Sequence, residues 1–163
     1  MRILRTFLGI TVSILLFACG GQTSTPTKTY ETFKEAIRTH SVGLLVKCLY
    51  MDFTLTGGKP IVDGGTAART GMLAVQILEK IRPDQIGPTK VVETREDGDI
   101  AIAVIHDPNN TAKPFGEVKF ARVDGEWRIF SGTPDGIVGA EEILARLQPW
   151  ATQRIAELNA SKH

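Results

Sequence analysis

The chain has 163 residues, 42% hydrophobic and 23% charged, with a formal net charge of +1. That length and balance suit one folded domain with appendages, large enough to bury a core without metal or disulfide staples. The near-neutral charge speaks against a general nucleic-acid binder, which normally carries a basic stripe. His40, His106 and His163 have no metal-ligand spacing, and no paired cysteine motif accompanies them, so neither a metal nor another cofactor is expected.

The first residues form a leader. Arg2 and Arg5 precede an apolar run from Phe7 to Phe17, and the small Ala18 comes just before Cys19. This is the order of a secretory signal, too short to span a bilayer. Removing residues 1–18, which carry two arginines and no acid, changes the charge to −1. Leu16, Phe17, Ala18 and Cys19 together resemble the lipobox of bacterial lipoproteins, in which the cysteine is acylated and the chain is cleaved just before it. The resemblance implies lipidation at Cys19 and attachment to the cell envelope. With Gly20 rather than aspartate following the cysteine, it implies the periplasmic side of the outer membrane in a Gram-negative cell. Residues 19–28 contain no large apolar side chain and read as a flexible tether.

The folded domain is expected from Thr29. Tyr30, Phe33 and Ile37 recur at helical spacing, with Thr32 and Glu35 as a capping box if the helix starts late. Ser41 is placed to cap a second helix over 42–50, with Leu44, Leu45, Cys48 and Leu49 facing inward. Residues 51–55 suggest a short extended piece and 56–65 an exposed loop. A third helix is expected over 66–81, ended by Pro83.

Four strands follow, over 89–95, 100–106, 115–123 and 126–131. Asp97-Gly98 and Asp124-Gly125 fall between β-prone runs and predict hairpin turns, since these residues tolerate positive φ. Ile100, Ile102 and Val104 alternate with Ala101, Ala103 and Ile105, so the second strand is apolar on both faces and central. Trp127 and Phe130 fall on opposite faces of the last strand, one for the core and one for the C-terminal helix near Trp150. That helix is expected over 138–158, with an apolar stripe of Ile143, Leu144, Leu147, Ala151, Ile155 and Leu158, and Pro149 kinking or splitting it.

The helix Tyr30-Glu31-Thr32-Phe33-Lys34-Glu35-Ala36-Ile37, the second helix near 44–53 and the hairpin Val123-Asp124-Gly125-Glu126-Trp127-Arg128-Ile129 resemble the NTF2-like superfamily, in particular its small bacterial lipoproteins. The resemblance covers about residues 29–131. It implies an α+β fold in which N-terminal helices pack on a curved four-stranded antiparallel sheet shaped as a cone. The segment 133–163 adds a C-terminal helical extension that covers the pocket, packs on the back of the sheet or binds a partner. On this reading 1–18 is the signal peptide, 19–28 the tether and 29–132 the NTF2-like domain.

Enzymes on this fold tune a carboxylate or histidine in the cone for proton transfer. The places that match the tyrosine and aspartate of isomerase-like members lie near Phe33 and Gly57-Gly58, which carry no titratable proton. The candidate pocket residues are Phe33, Tyr50, Asp52 and His106. Taken singly, Asp52 reads first as a helix-ending surface acid, His106 as a solvated loop histidine and His40 as a helix-end cap. Cys48 reads as a buried small hydrophobe. The expected function is a lipid-anchored, non-catalytic module binding a small apolar ligand or an envelope protein. The rival readings are a pocket hydrolase or isomerase using Asp52, Tyr50 or His106, and an assembly factor docking through residues 138–158.

Overall fold

A computed structural model describes Gly21 and residues 23–50, 55–56, 59–60, 64–131, 134 and 137–161. Residues 1–20, on which the expected signal peptide and the lipidation at Cys19 fall, and Asp52 and His163 lie outside the described residues. The elements in order are α1 (Pro26–Arg38), α2 (Val42–Cys48), β1 (Leu55–Thr56), β2 (Lys59–Pro60), α3 (Gly64–Lys80), α4 (Pro83–Ile86), β3 (Lys90–Asp97), β4 (Ile100–His106), β5 (Phe115–Val123), β6 (Glu126–Phe130) and α5 (Ala140–Ala160). The fold is α+β. β3, β4, β5 and β6 form an antiparallel open sheet in that order, and β1 pairs with β2 in a separate two-stranded ribbon.

The sheet is covered on both sides. Tyr30, Phe33, Ala36 and Ile37 of α1, Leu45 and Cys48 of α2 and Ala74 of α3 pack with Ala101, Ala103, Phe120 and Trp127. On the other face Ala140, Leu144, Leu147 and Ala151 of α5 pack with Ile100, Ile102, Val104, Ala121 and Phe130. β4 is therefore apolar on both faces because helices lie on both. Trp127 serves the first core and Phe130 the second.

The domain starts earlier than expected, and 23–28 is not tether. Thr25 caps α1, its side chain accepting from the Lys28 N–H at 3.2 Å, and Pro26 occupies the first turn, where its missing N–H costs nothing. The expected cap at Thr32 lies inside the helix, where the Thr32 hydroxyl donates to the Lys28 carbonyl. α1 ends in paired backbone bonds from His40 N–H to the Ile37 carbonyl and from Ser41 N–H to the Ala36 carbonyl, with His40 at φ 50°. This is the Schellman closure, and His40 takes the left-handed position usually held by glycine. Ser41 then caps α2 as expected.

The second hairpin turn is Asp124-Gly125, both at positive φ as a type I′ turn requires. The first is shifted by one residue. Asp97 pairs with Ile100, so Gly98-Asp99 forms the loop, and of these two only Gly98 has positive φ, the pattern of a type II′ turn. Pro83 does not merely stop α3 but opens the short α4. Pro149 does not split the last helix, which runs unbroken through it.

α5 packs on the back of the sheet. The register slips between Val91 and Glu93, a bulge that sets Glu93 opposite Val104, Arg95 opposite Ile102 and Asp97 opposite Ile100, all facing α5. Asp97 Oδ2 accepts from Arg146 Nη2 at 2.7 Å, the Arg95 guanidinium lies 5.6 Å from the Trp150 ring centre, and Glu93 Oε2 accepts from Arg154 Nε at 2.8 Å. Four helical residues rise about 6 Å and two strand residues about 6.6 Å, so an i, i+4, i+8 row on α5 stays in step with alternate residues of β3 running the other way.

Candidate functional site

The helix-side face holds a buried polar chain. Tyr30 and Thr89 are almost fully buried, with their hydroxyl oxygens 2.8 Å apart. Thr89 Oγ1 donates to the Ile86 carbonyl at 2.6 Å, so its single proton is committed and Tyr30 is the donor between them. Burial pushes the Tyr30 phenol above its ordinary range, which keeps it protonated and able to donate. Lys34 Nζ donates to the Thr89 carbonyl at 2.9 Å and pairs with Glu31 at 2.9 Å. These bonds fix α1 to the segment between α4 and β3. Beside them lies a groove of about 210 Å³ lined by Glu31, Lys34, Glu35, Arg38, Pro83 and Gly87. The Arg38 guanidinium, bonded to Glu35, holds the Glu35 carboxyl below its ordinary range.

One buried polar atom on this face finds no partner among the described residues. Thr94 pairs with Ala103, a residue of the helix-side core, and its Oγ1 is buried with no hydrogen-bond partner among the described residues. An unmet buried hydroxyl costs about 1–3 kcal/mol, so this atom is where a bound polar group would be most welcome.

The candidate pocket residues do not converge. Phe33 sits in the helix-side core, its ring centre 6.3 Å from that of Tyr30. Tyr50 packs against the α5-side core, edge-on to Phe130 at 6.4 Å, and its N–H donates to the Ile129 carbonyl at 2.7 Å. His106 ends β4 opposite Phe115, their rings 4.9 Å apart, and Phe115 packs on the α5-side core. Phe33 is therefore divided from Tyr50 and His106 by the sheet. Asp52 lies outside the described residues.

Two further grooves open on the α5 side. One of about 350 Å³ is lined by Glu93, Trp150, Gln153, Arg154 and Glu157. Its charges are mutually engaged: Arg154 bonds Glu157 at 3.1 Å and Glu93 at 2.8 Å, and Gln153 bonds Glu157 at 2.9 Å. The other, about 330 Å³, runs along β5 and β6 past Glu117, Lys119, Ile129 and Phe130. Cys48 is fully buried on α2 and burial pushes its thiol up to about 12, which makes it inert at ordinary pH. No group of His, Cys, Asp and Glu that would hold a metal ion occurs among the described residues.

Sequence reasoning placed Tyr30 on α1 but missed the Tyr30–Thr89 bond and the unpaired Thr94 hydroxyl. The first had a signal, a tyrosine on the inward stripe of a helix, since a buried tyrosine normally finds a partner for its hydroxyl. Comparison with protein-family models, with curated proteins and with solved structures finds no match. No helix among the described residues is long and apolar enough to cross a membrane.

Proposed function

We propose that this chain is a lipid-anchored cell-envelope protein whose α+β domain is a binding module rather than an enzyme. The observation that carries the anchoring is the order Arg2, Arg5, an apolar run, Ala18 and Cys19, leading within four residues to a buried, hydrogen-bonded Thr23. The binding role is supported by the use to which the proton-bearing groups are put. Tyr30 donates to Thr89, the His106 ring lies on Phe115, and the Cys48 thiol is buried and held protonated.

In this reading the ligand site lies on the helix-side face, the interior of an NTF2-like cone, with Phe33 as an apolar wall and Thr94 Oγ1 as the polar contact. A small amphipathic molecule fits that chemistry, its apolar body against the α1 core and its acceptor group on the Thr94 hydroxyl. Docking of a partner through α5 has less support, because the apolar stripe of α5 is spent on the sheet of its own domain.

Replacing Cys19 with Ala and fractionating cells tests the anchor. The variant should leave the membrane fraction; unchanged partition contradicts the anchor. Native mass spectrometry of the membrane-extracted protein tests the site, with a co-purified small molecule released by Thr94→Val as the expected result.

A further inference from the structure

The early start of the fold sets how far the domain can stand from the membrane. The Thr23 side is buried, its carbonyl accepting from the Trp127 N–H at 2.8 Å, and Trp127 is the second residue of β6, beside the Asp124-Gly125 turn. A Cβ built on Gly21 would lie 3.6 Å from Glu126 Oε1, at the same corner. From Cys19 to Thr23 the chain takes four steps, which span at most about 14 Å when fully extended. A domain of about 140 residues has a radius of gyration near 14 Å and a diameter more than twice that. The leash is shorter than the body it holds.

The corner at Thr23 belongs to one end of the sheet. Asp99 and Arg122 bridge the two hairpin turns at 2.9 Å, and Arg146 bonds Asp97, which brings the N-terminal half of α5 to the same end. At the opposite end lie the close of β4 at His106, the start of β5 at Phe115 and the connection between them, where the Asn109 side chain donates to the Asp84 carbonyl at 3.2 Å.

We propose that the end of the sheet carrying the β3–β4 and β5–β6 turns rests against the lipid headgroup layer, while the end carrying His106 and the 107–114 connection is presented to the surrounding compartment. This rests on acylation at Cys19, as proposed above. The resting end carries three pairs of opposite sign, Asp97 with Arg146, Asp99 with Arg122 and Glu126 near Arg128 at 3.9 Å, together with further acids, Asp124 in the turn and Glu141 and Glu142 in the first turn of α5. Such a surface has no basic excess to seek anionic lipid. The leash alone imposes the contact, so it should form equally on zwitterionic phosphatidylcholine.

The test reconstitutes the full lipidated protein in phosphatidylcholine vesicles containing a headgroup-labelled energy acceptor. Donor dyes are placed on Glu126→Cys at the resting end or on Lys113→Cys at the far end; the buried Cys48 does not compete for label. Flotation with the vesicles establishes the anchor. Strands of seven residues separate the two positions by about 20 Å, so energy transfer from position 126 should exceed that from 113 by more than about twofold. Ten Gly/Ser residues inserted after Gly20 should level the two. Flotation with equal transfer at both positions, or with stronger transfer from 113, overturns the orientation alone. Failure to float overturns the anchor and the orientation with it.

Discussion

The two faces of the sheet are both apolar and both covered by helix, yet they are joined to their covers by different chemistry. On the α5 side the connection is a partly exposed row, Arg146 and Arg154 paired with Asp97 and Glu93 and the Arg95 guanidinium over the Trp150 ring, around a core of Ile100, Ile102 and Val104. On the helix side the polar groups are few and buried: Tyr30 bonded to Thr89, and Thr94 bonded to nothing among the described residues. The charged row is wet and sets register, while the apolar contact beneath it supplies the stability. Each face also holds one buried polar atom with no partner among the described residues, Thr94 Oγ1 on the helix side and Arg128 Nε on the α5 side, and an unmet group of this kind has a cost that a ligand would relieve. What sets the helix side apart is the buried hydroxyl pair of Tyr30 and Thr89 on the same face as its unmet atom, and this is why the binding site is proposed there.

Removing α5 altogether by truncation after residue 136 has the largest expected effect. It strips the cover from Ile100, Ile102, Val104 and Phe130 at once, and the truncated chain should aggregate or fail to show a cooperative transition by circular dichroism. A soluble, cooperatively folding truncation would show that the α5 face is an accessory.

Alkaline conditions should weaken the helix side specifically. The Cys48 thiol is protonated in the fold to about pH 12, whereas the unfolded chain loses that proton near its ordinary value of about 9. Its contribution is fully present below pH 9 and is lost as pH rises from there towards 12, with Tyr30 acting in the same direction. A Cys48→Ala variant compared with the parent in urea titrations at pH 8 and pH 10.5 should lose less stability over that interval; equal losses would break the assignment.

Tyr30→Phe removes one buried donor while Thr89 keeps its bond to Ile86, so the cost should be about 1 kcal/mol. Thr94→Val runs the other way. With no partner to lose, replacing the hydroxyl by a methyl of similar size should raise stability by about 1 kcal/mol in ligand-free protein, measured by chemical denaturation. A loss of that size would mean the hydroxyl is already satisfied. The smallest effect belongs to the charged row. Asp97→Asn breaks an exposed pair and should cost less than about 1 kcal/mol, shrinking further in high salt.

Much of the sheet was legible because its signals are local. The 100–106 and 115–123 strands follow from alternation of apolar residues, and the Asp124-Gly125 turn from backbone tolerance. Ser41 announces α2 by its own hydroxyl. What escaped was set by distant partners. Residues 23–28 read as tether because they lack large apolar side chains, but Thr23 and Thr29 are held by the backbone of Trp127, about a hundred residues away. Thr25-Pro26, a cap followed by proline in the first turn, was the available signal. Of the expected pocket residues, Phe33 lies on one face of the sheet and Tyr50 and His106 on the other. Periodicity says that a residue points inward, not which face of the sheet it meets. The bulge near Val92, which decides that Glu93, Arg95 and Asp97 face α5, has no mark in the sequence at all.

The most direct measurement of the central claim is the intact mass of the protein extracted from membranes, with sequencing of its N-terminus. The expected product is a chain beginning at Cys19 and heavier than its polypeptide by the mass of attached acyl chains. A chain that retains residues 1–18, or one that begins at or near Cys19 and carries no lipid, would contradict it.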